Sequence, residues 1–397
     1  MISFLRDSSY LFIGFSIFFN IFGLYSVLTF KKTHPILSEP EKQTLQPPLL
    51  SAAVLIPLRG NNEKTYPFIL FIHTQTYPPS EIRCGVDNLN DSAVPIIEQI
   101  QKDYPKIPTT LISKNSLPNS PVFSNKKIQN LANLQKGANC DILIAVDQDI
   151  SVPPYYLKDI VSHLLDPKTG MCTCLYRAAA PHSIGEIFEL LTIHSDFFPS
   201  VLISEKLEGG LGFAFGATMA FKQEVLKTIG GFESVGDYLA DDHELGKKVK
   251  ESGIKIALSG VIVQHNPEAA SLKDYWTRAV RAARTHRFCR PAGYFFSIFS
   301  QGLPWIIPAL FLSHFSRISL TLLAVWGITR ILTAAASHIV LGGDKKNLAF
   351  FLFLPVHEAF KLIFWILAFT GSKVTWGETI YQVFKDGKFQ STAKAER

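Results

Sequence analysis

The chain has 397 residues, 39 Lys and Arg against 33 Asp and Glu, and a formal net charge of +6. Hydrophobic residues make up 47% and charged ones only 18%, with 31 Phe, a balance that argues for membrane segments and against a purely soluble enzyme. The modest positive charge suits an anionic partner, such as a lipid headgroup, a nucleotide or a phosphorylated substrate, and argues against DNA or RNA. Five cysteines without regular spacing exclude a disulfide framework, and Cys172 and Cys174, alternating with Thr173, read as packed strand residues. A reducing, cytosol-facing domain is expected.

In chain order, residues 10–30 are apolar and uncharged, about the 20 residues that a membrane-spanning helix needs. Lys31 and Lys32 follow and place the downstream side in the cytosol. This anchor (1–32) leads into a stiff linker (33–50) carrying Pro35, Pro40, Pro47 and Pro48. Strands then alternate with helical segments: 52–56 ended by Pro57, 82–86, 110–112, a helix capped by Asn125 and running to Gly137, 142–146, a helix starting at Pro154, and 171–176. The alternation predicts a doubly wound α/β domain, with the catalytic region taken as 51–291.

Past Pro291 come membrane segments (292–371) and a tail (372–397). Residues 294–312 and 318–341 are each long enough to span, as is 348–369, though Pro355, His357, Glu358 and Lys361 interrupt the last. If all three cross, the tail with Lys373, Lys385, Lys388, Lys394 and Arg397 lies outside, against the positive-inside tendency. One segment, the last, is therefore expected to lie in the interface or re-enter.

Three constellations carry chemistry. The first is Asp147-Gln148-Asp149, directly after the apolar run 142–146. On an extended chain this spacing points both carboxylates to one face, at the strand end where ligands of open α/β sheets sit. Such a pair can hold Mg²⁺ or Mn²⁺, which in turn can hold a diphosphate; the plain alternative is a solvated turn. The second is Asp241-Asp242 opening a helix, either a general base or simple capping. The third is a basic helix with Arg278, Arg281, Arg284, Arg287 and Arg290. A step of three residues turns a helix by about 300°, so these five sweep roughly 240° and no single face uses them all. Some are expected to meet a diphosphate and others lipid phosphates; a merely basic juxtamembrane helix fits the spacing equally.

Arg278-Ala279-Val280-Arg281 resembles the Gln/Arg-x-x-Arg-Trp motif of inverting glycosyltransferases with the GT-A (Rossmann-like) fold. Pro57-Leu58-Arg59-Gly60, Asn125-Lys126-Lys127-Ile128-Gln129-Asn130-Leu131, Asp147-Gln148-Asp149-Ile150 and Leu239-Ala240-Asp241-Asp242 follow the order found in the ceramide glucosyltransferase family. Arg284-Thr285, Arg290-Pro291-Ala292-Gly293-Tyr294 and Val374-Thr375-Trp376 with Tyr381 are similar to its bacterial branch in hopanoid biosynthesis.

The resemblance implies a multi-pass enzyme of the bacterial inner membrane, its catalytic domain facing the cytosol. It would move a hexose or N-acetylhexosamine from a UDP-sugar to a membrane lipid hydroxyl of ceramide or hopanoid type. Asp147 and Asp149 would bind Mg²⁺ or Mn²⁺. Asp87, Asn88, Lys127 and Asp147 would contact the nucleotide, and Gly216, in the loop Phe213-Ala214-Phe215-Gly216-Ala217-Thr218, would lie beside the sugar. Asp242 would be the base, and Arg278 with Arg281 would stabilise departing UDP. His194, near Asp196, is a lesser candidate for the acceptor side. Two departures stand out: Asn88 occupies the place of the family's first nucleotide-binding aspartate, and Ala282 replaces the motif's tryptophan. The competing readings are a processive polysaccharide synthase, disfavoured by Ala282, and an inactive nucleotide- or lipid-binding membrane protein.

Overall fold

The computed structural model describes residues 1–36, 50–60, 65–113, 122–266, 271–377 and 379–394. Pro40, Pro47 and Pro48 of the expected linker, and Arg397 of the tail, lie outside the described residues. The chain divides into two units. A helical unit comprises Met1–Phe30, Arg177–Ser204 and Pro267–Arg397, and an α/β unit comprises Lys31–Tyr176 and Glu205–Asn266. The sequence reading had grouped 51–291 together; here 177–204 and the basic helix belong with the membrane-type helices.

The α/β unit is built on strands β1 (Ala52–Pro57), β2 (Glu81–Val86), β3 (Thr109–Ser113), β4 (Ile142–Val146), β5 (Ile150–Ser151), β6 (Thr169–Ala178), β7 (Thr218–Lys222) and β8 (Lys255–His265). Their order in the sheet is β3-β2-β1-β4-β7-β6-β8-β5. All five residues of β4 are buried, as a continuous apolar run requires of a central strand covered on both faces. Ile56, Ile82, Ile144 and Val146 belong to one core with Phe68 and Ile97 from the flanking helices. Each fully buried Ile or Val contributes about 1.5–3 kcal/mol of transfer free energy.

The sheet bears out an α/β domain and is mixed rather than all parallel. β1, β2, β3 and β4 run parallel, whereas β7 pairs antiparallel with β4, Val146 opposite Thr218, and β5 pairs antiparallel with β8, Ile150 opposite His265. An antiparallel β7 begins at the edge where β4 ends. The loop that precedes it therefore arrives beside Asp147, where a parallel strand would have carried it to the opposite edge.

Among the described residues, four helices are long and apolar enough to cross a membrane: Ile2–Thr33, Ile184–Glu208, Arg317–Val340 and Lys345–Phe369. The second was not foreseen from the sequence, because Glu186, Glu189, His194 and Asp196 break its apolar run. Residues 294–312, expected as one span, form a pair of helices, Pro291–Ser300 and Leu303–Leu312, bent by 45°. Pro304, at the start of the second helix, cannot donate the backbone hydrogen bond that continuity needs. The broken element is thus this pair, whereas Lys345–Phe369 keeps the length of a span.

The polar residues that interrupt these helices meet one another. Arg330 donates to Glu358 at 2.7 Å and to Asp196 at 2.6 Å, and Lys361 reaches Asp196 at 2.6 Å. Asp196 lies in a π-helical turn, Ile193–Phe197. The tail forms a three-stranded antiparallel sheet of β9 (Lys373–Trp376), β10 (Thr379–Val383) and β11 (Phe389–Lys394).

Candidate active site

Asp147 and Asp149 occupy a tight turn between β4 and β5, not an extended strand end as the spacing argument assumed. Between them, Gln148 is committed elsewhere. Its amide oxygen accepts from the Arg59 N–H at 2.9 Å, and its amide nitrogen donates to the Arg59 carbonyl at 3.2 Å. This reciprocal pair ties the turn to the Pro-Leu-Arg-Gly loop after β1. The Gly60 N–H in turn donates to both oxygens of Asp91 at 3.1 Å.

A second set of side chains comes from two helix starts. Asn125 caps the helix Lys126–Gln135, its side-chain oxygen accepting from the Ile128 N–H at 3.1 Å. The same amide donates to the Tyr238 carbonyl at 3.1 Å and to Asp241 Oδ1 at 3.2 Å. One side chain therefore joins the helix that carries Lys127 to the helix Asp241–Glu251. Capping was legible in the sequence; the bridge was not.

These elements converge at Gly216. Its N–H donates to Asp242 Oδ2 at 2.8 Å, and its carbonyl accepts from Lys127 Nζ at 3.3 Å. A Cβ placed there would meet Lys127 Nζ at 3.1 Å, Asp242 Oδ2 at 3.4 Å and Asp147 Oδ2 at 3.6 Å. A side chain there would press first on the end of Lys127 and would fill the space between the two carboxylates. Lys127 Nζ lies 2.6 Å from Asp147 Oδ1. His265, missed in the sequence reading, lies 3.2 Å from Asp149 Oδ2, set there by the β5–β8 register and by the Asn266 N–H donating to the Asp149 carbonyl at 2.7 Å. Its signal in the sequence was a His-Asn pair closing an apolar strand.

The acidity of the cluster follows from burial and crowding. Burial raises Asp147 above the ordinary carboxylate range despite Lys127, and the charge of Asp149 adds to the rise. Asp149 is lowered: burial pushes it up, but His265 and Lys127 together outweigh that. Asp241 is pushed up to about 6, by burial first and by Asp242 and Asp147, against the pull of Lys127. Burial lowers Lys127, yet Asp147 and Asp241 more than reverse this and raise it. Asp241 Oδ2 is buried without a hydrogen-bond partner among the described residues.

The carboxylates of Asp147 and Asp149 are oxygen donors of the kind that Mg²⁺ or Mn²⁺ accepts, with the Lys127 ammonium drawn onto the first and the His265 imidazole beside the second. Asp87 and Asn88 follow β2, at the same carboxyl edge of the parallel strands, and both are exposed. Asn88 accepts from the Asn90 N–H at 2.9 Å. Asp91, three residues beyond Asn88, is taken up by Gly60 and by the Ala93 N–H at 2.9 Å.

Arg278 and Arg281 belong to the helical unit, on the helix Leu272–Cys289. Within that unit Arg278 pairs with Glu189 at 2.6 Å, and the Arg281 guanidinium lies over the Trp376 ring, 5.5 Å from its centroid. Arg284 donates to the Lys373 carbonyl and Arg287 to the Gly371 carbonyl at 3.1 Å, so both meet the tail, where lipid phosphates were expected. Ala282 is exposed. His194, in the same unit, is buried, with His338 at 2.7 Å on one ring nitrogen and the Ala178 N–H at 3.2 Å on the other. Both nitrogens are in use.

The family model described as glycosyl transferase family 21 matches residues 13–389. Among curated proteins, ceramide glucosyltransferase 1 of Caenorhabditis elegans is 21% identical over 266 residues, covering 67% of this chain and 55% of that protein. Ceramide glucosyltransferase 3 of the same organism is 21% identical over 234 residues, 59% of this chain and 50% of that protein. The chain thus spans about half the length of these curated relatives. Among solved structures, a mannosyltransferase from Pyrobaculum calidifontis in complex with GDP-mannose and Mn²⁺ superposes with a TM-score of 0.54 at 17% identity, covering 92% of this chain and 98% of that one. That likeness shows a shared GT-A-like fold.

Proposed function

The chain belongs to glycosyl transferase family 21, and from that premise we propose that it transfers one hexose or N-acetylhexosamine from a UDP-sugar to the hydroxyl of a membrane lipid, with inversion. The observation that carries this reading is the convergence of Asp147, Lys127 and Asp242 on Gly216, beside Asp149 and His265. Asp147 and Asp149, with His265, would hold Mg²⁺ or Mn²⁺, which when bound neutralises charge on the diphosphate. Asp87 and Asn88 bind the nucleoside. Lys127 exchanges Asp147 for a phosphate oxygen, an anionic acceptor that suits the same ammonium.

Gly216 lets the sugar approach without a side chain between it and the carboxylates. Asp242, held by the Gly216 N–H at 2.8 Å, takes the proton of the acceptor hydroxyl as its oxygen attacks the anomeric carbon. The bond from that carbon to UDP breaks, and its electron pair leaves with UDP, which Arg278 and Arg281 stabilise. The acceptor is a lipid of ceramide or hopanoid type, a choice supported by the apolar helices and by the names of the curated relatives. The setting is the bacterial cytoplasmic membrane, with the α/β unit on the cytosolic side. The basic pair Lys31 and Lys32 at the end of the first apolar helix supports that orientation.

The test is UDP release by the detergent-purified chain with Mn²⁺, given UDP-glucose or UDP-N-acetylglucosamine, with and without lipid extract. Extract-dependent release from one donor, lost in Asp149→Ala and by chelation, is the expected result. A chain that releases no UDP with any donor or lipid, beside an active control enzyme, is not a transferase. A product that lengthens on a sizing column would make it a polymer synthase.

A further inference from the structure

The four arginines of the helix Leu272–Cys289 are not equivalent. The Arg278 guanidinium is paired with Glu189, while those of Arg284 and Arg287 donate to carbonyls of Lys373 and Gly371. Arg281 differs: among the described residues its guanidinium meets no hydrogen-bond acceptor, and its neighbour is the ring of Trp376, 5.5 Å from the centroid. A π face attracts a cation and fixes its plane but uses none of its N–H donors. A carboxylate partner would fix the group and consume those donors.

Trp376 is itself firmly mounted. It ends β9, opposite Thr379 across the hairpin. Its ring lies 6.5 Å from that of Tyr381 and 6.1 Å from that of Phe389, which are 4.8 Å from each other. Val374, Tyr381, Val383 and Phe389 are buried under this small sheet. Arg284 and Arg287, bonded to the chain at Lys373 and Gly371, fasten the start of β9 to the same helix one and two turns past Arg281. The flanking arginines hold the tail, and the tail holds Trp376.

We propose that Trp376 is a positioning residue of the transferase, a π platform that orients the Arg281 guanidinium while leaving its donors open for the oxyanions of a diphosphate. This deepens the function proposed above and rests on it. Burial and the charge of Arg278 both press on Arg281 and lower its pKa, which makes an anionic ligand there all the more stabilising. A phosphate-bearing lipid headgroup offers the same chemistry, and the experiment separates the two sources.

Full-length chain in nanodiscs would be assayed as wild type, Trp376→Leu, Trp376→Phe, Arg281→Met and the double variant Trp376→Leu with Arg281→Met. The readouts are kcat, KM, inhibition by UDP against inhibition by UMP, and dependence on anionic phospholipid. Trp376→Leu is expected to weaken UDP inhibition by about tenfold with UMP inhibition little changed, and Trp376→Phe to recover most of the loss. In the Arg281→Met background, Trp376→Leu is expected to add nothing, because the platform then has no cation to orient. Equal losses in both backgrounds, or unaltered UDP inhibition, would overturn the proposal. So would a change confined to the anionic-lipid dependence, which would assign Arg281 to a headgroup. A wild type that neither releases nor binds UDP removes the transferase reading, and this inference with it; an active wild type with a normal Trp376→Leu removes the inference alone.

Discussion

Two clusters of charge invite comparison. In the helical unit, Arg330 and Lys361 face Asp196 and Glu358, with bonds of 2.6–2.7 Å between opposite charges. Cations and anions match, and each group has its partner. In the α/β unit, Asp147, Asp149, Asp241 and Asp242 crowd around Lys127, with His265 at the edge. There the anions are in excess and one carboxylate oxygen, Asp241 Oδ2, has no hydrogen-bond partner among the described residues. Balance of the first kind holds helices together where each polar group needs a mate. Excess of the second kind is a standing affinity for a cation, and it is sustained at a cost in stability.

The comparison is sharpest in variants that remove one acid from each cluster. Asp242→Asn should lower kcat by about 10²–10⁴-fold, since the acceptor proton then has no base, while inhibition by UDP stays near the wild-type value. Equal losses in kcat and UDP inhibition would show that Asp242 only binds. Glu358→Gln leaves Asp196 as the one carboxylate shared by Arg330 and Lys361 among the described residues and should destabilise the chain in detergent by about 3–5 kcal/mol, seen as a lower melting temperature.

Asp241→Asn should act in the opposite direction. A carboxyl pushed up to about 6 holds its proton more tightly in the folded state than in the unfolded one. Stability therefore falls as pH rises from about 4 through that value, and the deficit is complete above it. The variant should flatten the melting curve across that window and melt higher at pH 7, by on the order of 1–3 kcal/mol. A variant that melts lower at pH 7 would mean that Asp241 is a paired structural acid, and the contrast between the clusters would fail.

What the sequence showed and what it hid divide along a physical line. Asp147 and Asp149 were legible because a buried strand is a continuous apolar run and the change to charged residues at its end is abrupt. The Asn125 cap was legible because capping is local, acting over three residues. Strand direction was not: apolar periodicity is the same for parallel and antiparallel pairing, so neither the arrival of Gly216 beside Asp147 nor that of His265 beside Asp149 could be read. The partners of the polar residues of Lys345–Phe369 were hidden for a related reason. Glu358 and Lys361 look like defects in a span until their partners are seen, and those lie 28 and 165 residues away. The helix Ile184–Glu208 was overlooked on the same account. Short motifs in order, by contrast, sufficed for the family, since order survives where spacing and charge pattern leave alternatives.

The reciprocal pair between Gln148 and Arg59 has an evolutionary consequence. The residue between the two aspartates is held by one donated and one accepted bond to the backbone of Arg59. A side chain that keeps both bonds must offer a donor and an acceptor, as an amide does. A leucine or lysine there would free the loop after the first strand while leaving both carboxylates in the sequence. A survey of genomes that scores only the two acids would count such chains as intact, and the middle letter is the one that would tell them apart.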